Sequence, residues 1–170
     1  MKKFAILAAL LMLAGCVEEE ENVSDRSIRG RWYLRSMRLS QPVDLNRDGV
    51  GQIDMVNEFG CLYDENILIS NNGNNFTLNN ANLFQDDTQS FYCDDAAAIL
   101  RNFGDVEKVD AHTIRLHFVN ESPEYAVEYT VFDDVMSKTY TASVPTVYDD
   151  DTQSWSYANL QIRKEYVRED

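Results

Sequence analysis

Alternating apolar and polar residues recur along the chain from residue 27 onward, which is the pattern of half-buried β-strands. In the segment 113–119, for example, Ile114, Leu116 and Phe118 are separated by polar residues. Comparable runs predict eight strands, at 29–39, 66–70, 75–78, 106–109, 113–119, 125–131, 135–144 and 156–167. Short strands in this number, with no βαβ rhythm, predict an all-β antiparallel barrel or sandwich.

Turn residues separate these strands and predict the connections. The run 71–74, Asn-Asn-Gly-Asn, indicates a hairpin because Asn and Gly accept the positive φ that tight turns need. A polar loop is expected at 40–52, and one or two helical turns are expected at 53–59. The segment 96–103 fits either a short helix or a strand, and both alternatives stay open.

The first fifteen residues have the composition of a secretory signal. Lys2 and Lys3 precede an apolar run at 4–13, and small residues lead up to Cys16. A helix of ten residues is about 15 Å long, whereas the hydrocarbon core of a bilayer is about 30 Å thick. The run is therefore too short to span a membrane, and we expect a cleavable signal at 1–15.

The residues before the expected cleavage site resemble a lipobox, at which lipoprotein-processing enzymes attach lipid to a cysteine. They are Leu-Ala-Gly-Cys at 13–16. The resemblance implies that Cys16 becomes the lipidated N-terminus and anchors the protein at the membrane. The alternative is an ordinary secretory signal with an incidental cysteine.

Four consecutive glutamates fill positions 18–21, directly behind Cys16. This self-repelling run predicts a tether over 16–26 and a folded domain over 27–170. The run is also similar to a surface-export signal of some Gram-negative envelopes. We therefore expect an outer-membrane lipoprotein of the cell envelope, on either the periplasmic face or the cell surface.

The chain is strongly acidic, with 29 acidic against 15 basic residues and a formal charge of −14 at pH 7. This charge disfavours nucleic acid as a partner and disfavours electrostatic attraction to anionic lipid. The length suits one folded domain behind the tether. The oligomeric state does not follow from the sequence.

The cysteines are informative because there are three of them, and assigning Cys16 to lipid leaves Cys61 and Cys93. Outside the cytoplasm an even remainder predicts a disulfide. Two free buried thiols are the alternative. A catalytic pair is disfavoured because neither cysteine has a Cys-x-x-Cys spacing.

A candidate calcium loop follows the first strand, where oxygen-bearing side chains stand at alternate positions. Asp44, Asn46 and Asp48 precede Gly49, which permits a sharp bend. The backbone carbonyl of Val50 falls where such a loop supplies a main-chain ligand. The site predicted here is structural and takes calcium as its metal. The alternative is an Asp-rich turn that hydrogen-bonds its own backbone.

The calcium pattern breaks at its twelfth position, which is Met55 rather than a bidentate glutamate. The nearest carboxylate is Asp54, one residue early, and Glu58 follows three residues later. We expect Asp54 or Glu58 to complete the site if it binds metal.

A family resemblance begins with Gly-Arg-Trp at 30–32, which is similar to the Gly-x-Trp motif opening the first strand of lipocalins. Bacterial lipocalin-like lipoproteins combine this motif with an acidic Asp-x-Asn-x-Asp-Gly loop, here at 44–49, a cysteine and a hairpin. The resemblance implies an antiparallel eight-stranded lipocalin-like barrel. It also implies a barrel floor at which an arginine of the last strand, Arg163 or Arg168, packs over Trp32.

Catalytic motifs are weak in this chain. The two histidines, His112 and His117, are expected at the surface, and no nucleophile elbow, phosphate loop or zinc-spaced histidine pair is present. We therefore expect a non-catalytic protein that binds a small apolar ligand or serves as a structural envelope module. The alternative is a surface module that binds protein or glycan and has a solidly packed barrel. A hydrolase with clustered acids is a minor third possibility.

Overall fold

The computed structural model describes residues 28–93, 100–119 and 125–169. The strands in these ranges are β1 (Gly30–Val43), β2 (Gln52–Asp54), β3 (Asn66–Ile69), β4 (Asn75–Asn80), β5 (Leu83–Gln85), β6 (Phe91–Cys93), β7 (Leu100–Lys108), β8 (Thr113–Phe118), β9 (Ala126–Phe132), β10 (Val135–Asp149) and β11 (Ser154–Glu169). One short helix, α1 (Met55–Glu58), and a 3-10 turn (Gly60–Asp64) lie between β2 and β3. No helix within the described ranges is long and apolar enough to cross a membrane.

Eight strands close into an antiparallel barrel, which confirms the predicted fold class. Their order around the ring is β1, β3, β4, β7, β8, β9, β10 and β11, and β11 pairs back with β1. Strand β2 pairs with β1, and β5 and β6 form a separate two-stranded hairpin. Closure pairs each strand of the ring with a neighbour on both sides, although β9 and β10 pair only beside their turn.

The core fills the inside of this ring, because alternate residues of each strand face inward. Along β8, Ile114 and Leu116 are fully buried, whereas Arg115 and His117 both contact the Glu107 carboxylate at the surface. This is the alternation predicted from the sequence. The largest fully buried side chains are Trp32, Tyr129 and Tyr166.

Trp32 is fully buried near the start of β1, and its group of contacts with Ile28 and Arg168 is termed the barrel floor. Its indole Nε1 donates a hydrogen bond of 2.9 Å to the carbonyl oxygen of Ile28. The guanidinium of Arg168, its cross-strand partner on β11, lies 5.6 Å from the indole ring centroid. Gly30 begins β1 with a φ of +109°, a conformation that side chains disfavour. The glycine of the motif therefore permits the backbone conformation at the start of β1. The tryptophan makes the buried contacts with Ile28 and Arg168.

Arg168 is thus the floor arginine, and Arg163 is not. The side chain of Arg163 is 56% exposed, and it pairs with Glu165 at 2.7 Å. Of the two arginines that the resemblance left open, the structure therefore places only Arg168 against Trp32.

Several strands run further than the sequence pattern predicted. Strand β1 continues to Val43 because it pairs in turn with β3, β11 and β2 along its length. Strands β10 and β11 form a long hairpin that reaches Asp149 and Ser154. Residues 100–103 belong to β7, so the helical alternative for 96–103 is wrong there, and residues 96–99 lie outside the described ranges.

Cys61 and Cys93 form the predicted disulfide. It links the 3-10 turn to β6 and so ties the small β5–β6 hairpin to the barrel. The alternative of two free thiols is therefore excluded.

Candidate functional site

The barrel wall is thinly paired between β9 and β10. The two strands share only three residue pairs, all beside the tight turn that connects them. The last of these pairs joins Ser137 to Thr130. Beyond it, residues 138–140 of β10 and 126–129 of β9 make no ladder pair with each other. The two strands therefore leave an opening in the side of the barrel.

A cavity of about 520 Å³ occupies this opening. Its walls combine aliphatic and aromatic side chains with two ammonium groups, one carboxylate, one hydroxyl and one amide. The lining residues are Asn80, Tyr125, Ala126, Val127, Glu128, Lys138, Thr139, Tyr140 and Lys164. Residues from β4 and β11 line the cavity together with those of β9 and β10, so it reaches from the opening into the barrel.

Lys164 is one of the two cations of the cavity, and it is neutralised by Glu65. Both oxygens of the Glu65 carboxylate lie close to Lys164 Nζ, at 2.7 and 2.8 Å. The Tyr166 hydroxyl donates a further hydrogen bond of 2.5 Å to the same carboxylate. Glu65 is only 2% exposed, so this buried carboxylate depends on these donors.

Lys138 is the other cation, and it lies directly opposite Lys164 in the β10–β11 ladder. Its Nζ lies 5.1 Å from the centroid of the Tyr129 ring and 5.3 Å from that of Tyr140. These are cation–π contacts. No carboxylate in the described part of the chain forms an ion pair with it. Burial, followed by the charge of Lys164, lowers the pKa of Lys138 from 10.5 to about 8.

Tyrosines surround the two lysines. The rings of Tyr129 and Tyr166 meet edge to face, with centroids 6.0 Å apart. Burial raises the pKa of both phenols far above the ordinary value, so both stay neutral, and burial raises the pKa of Tyr140 to about 12. The Tyr129 hydroxyl is buried without a hydrogen bond of ordinary geometry to any described residue. The nearby Tyr166 hydroxyl donates to Glu65 instead.

The predicted calcium loop at 44–49 is a tight turn held by its own side chains. Asp44 accepts hydrogen bonds from the backbone N–H groups of Asp48 (3.1 Å) and Gly49 (2.8 Å). Asn46 Oδ1 accepts from Asp48 at 3.0 Å, and Asp48 Oδ1 accepts from Val50 at 2.8 Å. The described residues include no group of three or more His, Cys, Asp and Glu side chains arranged to hold a metal.

Asp54 is placed away from this loop. Its Oδ1 caps α1 by accepting from the N–H of Val56 at 3.3 Å. The same oxygen accepts from the N–H of Met37 on β1 at 2.9 Å. The carboxylate of Asp54, which is nearest to the twelfth loop position, therefore accepts hydrogen bonds from β1 and from α1 rather than from the loop.

Glu58 reaches the loop instead. Its Oε1 accepts from the N–H groups of Leu45 and Asn46, at 2.8 and 2.9 Å. Its Oε2 is buried and has no hydrogen-bond partner in the described ranges. Burial raises the pKa of Glu58, and the charges of Asp44 and Asp48 raise it further.

A second, smaller cavity of about 330 Å³ lies where the same loop meets the long hairpin. The Arg47 guanidinium stacks 3.6 Å from the centroid of the Tyr148 ring and pairs with Asp150 at 2.6 Å. It also donates to the carbonyl oxygen of Thr88. These contacts join three segments of the chain, so this cavity lies at a structural joint.

Both histidines lie outside the large cavity. His117 is 40% exposed and its Nε2 is 2.7 Å from Glu107. The ring of His112 contacts that of the exposed Phe132, with centroids 5.6 Å apart. The structure therefore places neither histidine beside the cavity lysines.

The cavity residues were missed by sequence reasoning, although one signal was available. Met136, Lys138 and Tyr140 stand at alternate positions of β10, and Met136 is fully buried. A lysine in phase with core residues on a predicted strand indicates an inward-facing cation. Glu65 offered no such signal, since its partner Lys164 is 99 residues away in the chain.

Comparison of the chain with protein-family models, with curated proteins and with solved structures gave no match. The predicted lipidation residue Cys16 lies outside the described ranges, together with the signal and the acidic tether. The lipoprotein and lipocalin-like assignments therefore stay predictions.

Proposed function

We propose that this chain is a lipid-anchored, non-catalytic envelope protein whose lipocalin-like barrel binds a small molecule. The observation that carries the proposal is the cavity of about 520 Å³ that opens between β9 and β10. Its volume lies within the range of about 300–1,000 Å³ that is common for small-molecule sites. Val127 and Tyr125 offer apolar surface there, and Asn80 offers an amide.

The alternative of a surface module that binds protein or glycan predicts a solidly packed barrel. The cavity favours a small-molecule ligand over that alternative, because residues of four strands, several of them half-buried, surround it. The exposed Val147 and Tyr157 of the long hairpin are then ordinary surface residues, since apolar side chains are common on protein surfaces.

The ligand site is tested by filling the cavity. Val127 lines it, so Val127→Trp introduces a large side chain where the ligand would lie. Val147→Trp is the matched control, since Val147 is 63% exposed on the outer hairpin. Native mass spectrometry of protein extracted from its own envelope should detect a bound small molecule in the wild type and the control. A wild type without bound ligand, or equal retention by both variants, would contradict the proposal.

The lipid anchor is tested at Cys16. Intact-mass analysis of the processed chain should find residue 16 at the N-terminus, with a mass increase that matches attached acyl chains. Cys16→Ser should remove the acyl mass and release the protein from the membrane fraction. A wild type that is cleaved but carries no lipid would support the ordinary secretory signal instead.

A second candidate function is structural calcium binding at the loop 44–49. The observation that favours it is Glu58, which holds two N–H groups of the loop and keeps a buried oxygen without a partner. Together with Asp44, Asn46 and Asp48 it would supply oxygen ligands of the kind that calcium prefers, once these side chains turn from the backbone N–H groups toward the metal. In this proposal Glu58, and not Asp54, completes the site.

Thermal unfolding with calcium and with chelator tests the metal proposal. Millimolar calcium should raise the melting temperature, because a ligand that binds only the folded state stabilises it. Glu58→Gln should remove the shift, and Asp151→Asn at an exposed turn should retain it. No shift in the wild type would overturn the calcium site and leave the barrel proposal intact.

A further inference from the structure

The charges around the large cavity do not balance. Lys138 and Lys164 face each other across β10 and β11, where like charges destabilise a sheet. The carboxylate of Glu65 is committed to Lys164 through both of its oxygens. Glu128 also borders the cavity, but it pairs with Arg115 at 2.5 Å. Among the residues that the structure describes, Lys138 therefore has two aromatic rings as partners and no carboxylate within ion-pair distance.

We infer that the cavity binds an organic anion, whose carboxylate or phosphate group lies beside the ammonium group of Lys138. This inference rests on the proposed function and names the ligand class. A cation without a counter-ion in a partly desolvated site attracts an anion more strongly than a surface lysine does. The anion would neutralise Lys138 and reduce its repulsion from Lys164.

The size and walls of the cavity indicate an organic anion rather than an inorganic ion. A volume of about 520 Å³ is far larger than the roughly 30 Å³ that one water molecule occupies in the liquid, and a simple ion is of similar size. Tyr125, Tyr140 and Val127 supply aromatic and aliphatic surface for the body of the ligand. The two phenols near Lys138, Tyr129 and Tyr140, stay neutral at physiological pH and do not repel an anion.

Matched probes test the head group. We propose to titrate the purified protein with 2-naphthoate, 2-naphthyl phosphate, 2-naphthalenemethanol and 2-naphthylmethylammonium, which share one ring system. The two anions should bind about tenfold or more tightly than the alcohol, and the ammonium compound should bind most weakly. The carboxylate and phosphate arms distinguish the two kinds of anion. Inorganic sulfate at equal ionic strength controls for screening of exposed charges.

Two variants locate the effect. Lys138→Met should weaken 2-naphthoate binding about tenfold or more and leave the alcohol unchanged, because the alcohol does not use the charge. Lys138→Gln repeats the test with a polar side chain. Lys108→Met is the control, since it removes the same charge from an exposed position of β7.

The outcomes separate this inference from the proposal on which it rests. Equal binding of the anions and the alcohol, or unchanged 2-naphthoate binding in both Lys138 variants, would overturn the anion and keep the ligand-binding barrel. If none of the four probes bound and the protein from its own envelope carried no small molecule, the proposed function would fail as well. A loss of anion binding that is confined to the Lys138 variants supports the inference.

Discussion

Lys138 and Lys164 are cross-strand partners in the same barrel, yet of the two only Lys164 forms an ion pair with a carboxylate of the described residues. The two lysines thus lie side by side, but the charge of Lys164 is compensated by Glu65, whereas that of Lys138 is not paired with a described carboxylate. Lys164 holds the buried Glu65 in place, whereas Lys138 is a partly buried cation at the mouth of a cavity. An unpaired buried charge lowers the free energy of unfolding. Proteins tolerate such destabilising groups mainly at functional sites, where a ligand can use them.

Lys138→Met should therefore stabilise the protein. Removing the unpaired ammonium group should raise the free energy of unfolding by about 1–2 kcal/mol at pH 7. Urea unfolding of the variant and the wild type measures the difference. The exposed Lys108→Met control should change stability by less than about 0.5 kcal/mol. A loss of stability in Lys138→Met would show that this lysine supports the fold instead.

The stabilising effect of Lys138→Met should depend on pH. The pKa of Lys138 is about 8 in the folded protein and 10.5 in the ordinary state, so the unfolded chain binds more protons between these values. Wild-type stability should then rise with pH relative to the variant, and the difference should shrink between pH 7 and 9.5. A constant difference over this range would argue against a charge effect.

Binding of 2-naphthoate should weaken as the pH rises above about 8, where Lys138 of the free protein loses its proton. Other groups near this lysine also influence the profile. They are Glu65, Tyr125, Tyr129, Tyr140, Lys164 and Tyr166. In Lys138→Gln the residual binding should be flat between pH 7 and 9, and a profile identical to the wild type would assign the titration to another group.

Lys164→Met should have the opposite effect on stability to Lys138→Met. It leaves the Glu65 carboxylate buried with the Tyr166 hydroxyl and without a cation, which costs about 3–5 kcal/mol in comparable buried pairs. The double variant Glu65→Gln/Lys164→Met should recover much of this loss, because neither member of the buried pair is then left charged without the other. Equal stability of the single and double variants in urea would contradict the coupling.

Loss of the disulfide should lower stability by about 3–4 kcal/mol on the chain-entropy estimate. Cys61→Ala/Cys93→Ala removes the bond that links the 3-10 turn to β6. Urea unfolding of this variant, compared with the oxidised wild type, measures the effect. A variant as stable as the wild type would show that the closed loop contributes nothing to the fold.

Removing the guanidinium of Arg168 should destabilise the barrel floor. Arg168→Met eliminates the cation over the Trp32 ring and the ion pair with Asp134, at an expected cost of about 1–2 kcal/mol. The exposed Arg163→Met is the matched control on the same strand and should have little effect. Trp32 fluorescence should change only in the first variant, and the reverse result would reassign the floor arginine.

Most of the fold could be predicted from the sequence, because strand alternation and turn chemistry are local signals. The segment 113–119 shows this, since its alternation corresponds to the buried and exposed faces of β8. The cysteine pair was predictable from parity, given the expectations that Cys16 carries lipid and that the domain lies outside the cytoplasm. The length of β1 was not, because its second half depends on pairing with β2 and β11.

The site was much less predictable, because it depends on residues that meet only after the barrel closes. Glu65 and Lys164 are far apart in sequence. Of the two carboxylates that could complete the loop, Asp54 contacts β1 and Glu58 contacts the loop, and the spacing did not decide between them. The opening between β9 and β10 is a difference in strand pairing, for which the alternation gives no sign. The partners of polar side chains and the pairing of neighbouring strands depend on the tertiary fold, so local sequence patterns do not predict them.

Chemical-shift mapping tests the central claim most directly, since it reports where a ligand binds. Titration of the isotopically labelled protein with 2-naphthoate should shift the amides of Val127, Lys138 and Tyr140, on the two sides of the opening. Shifts confined to Val147 and Tyr157 on the outer hairpin, or no shifts at all, would contradict a ligand site inside the barrel.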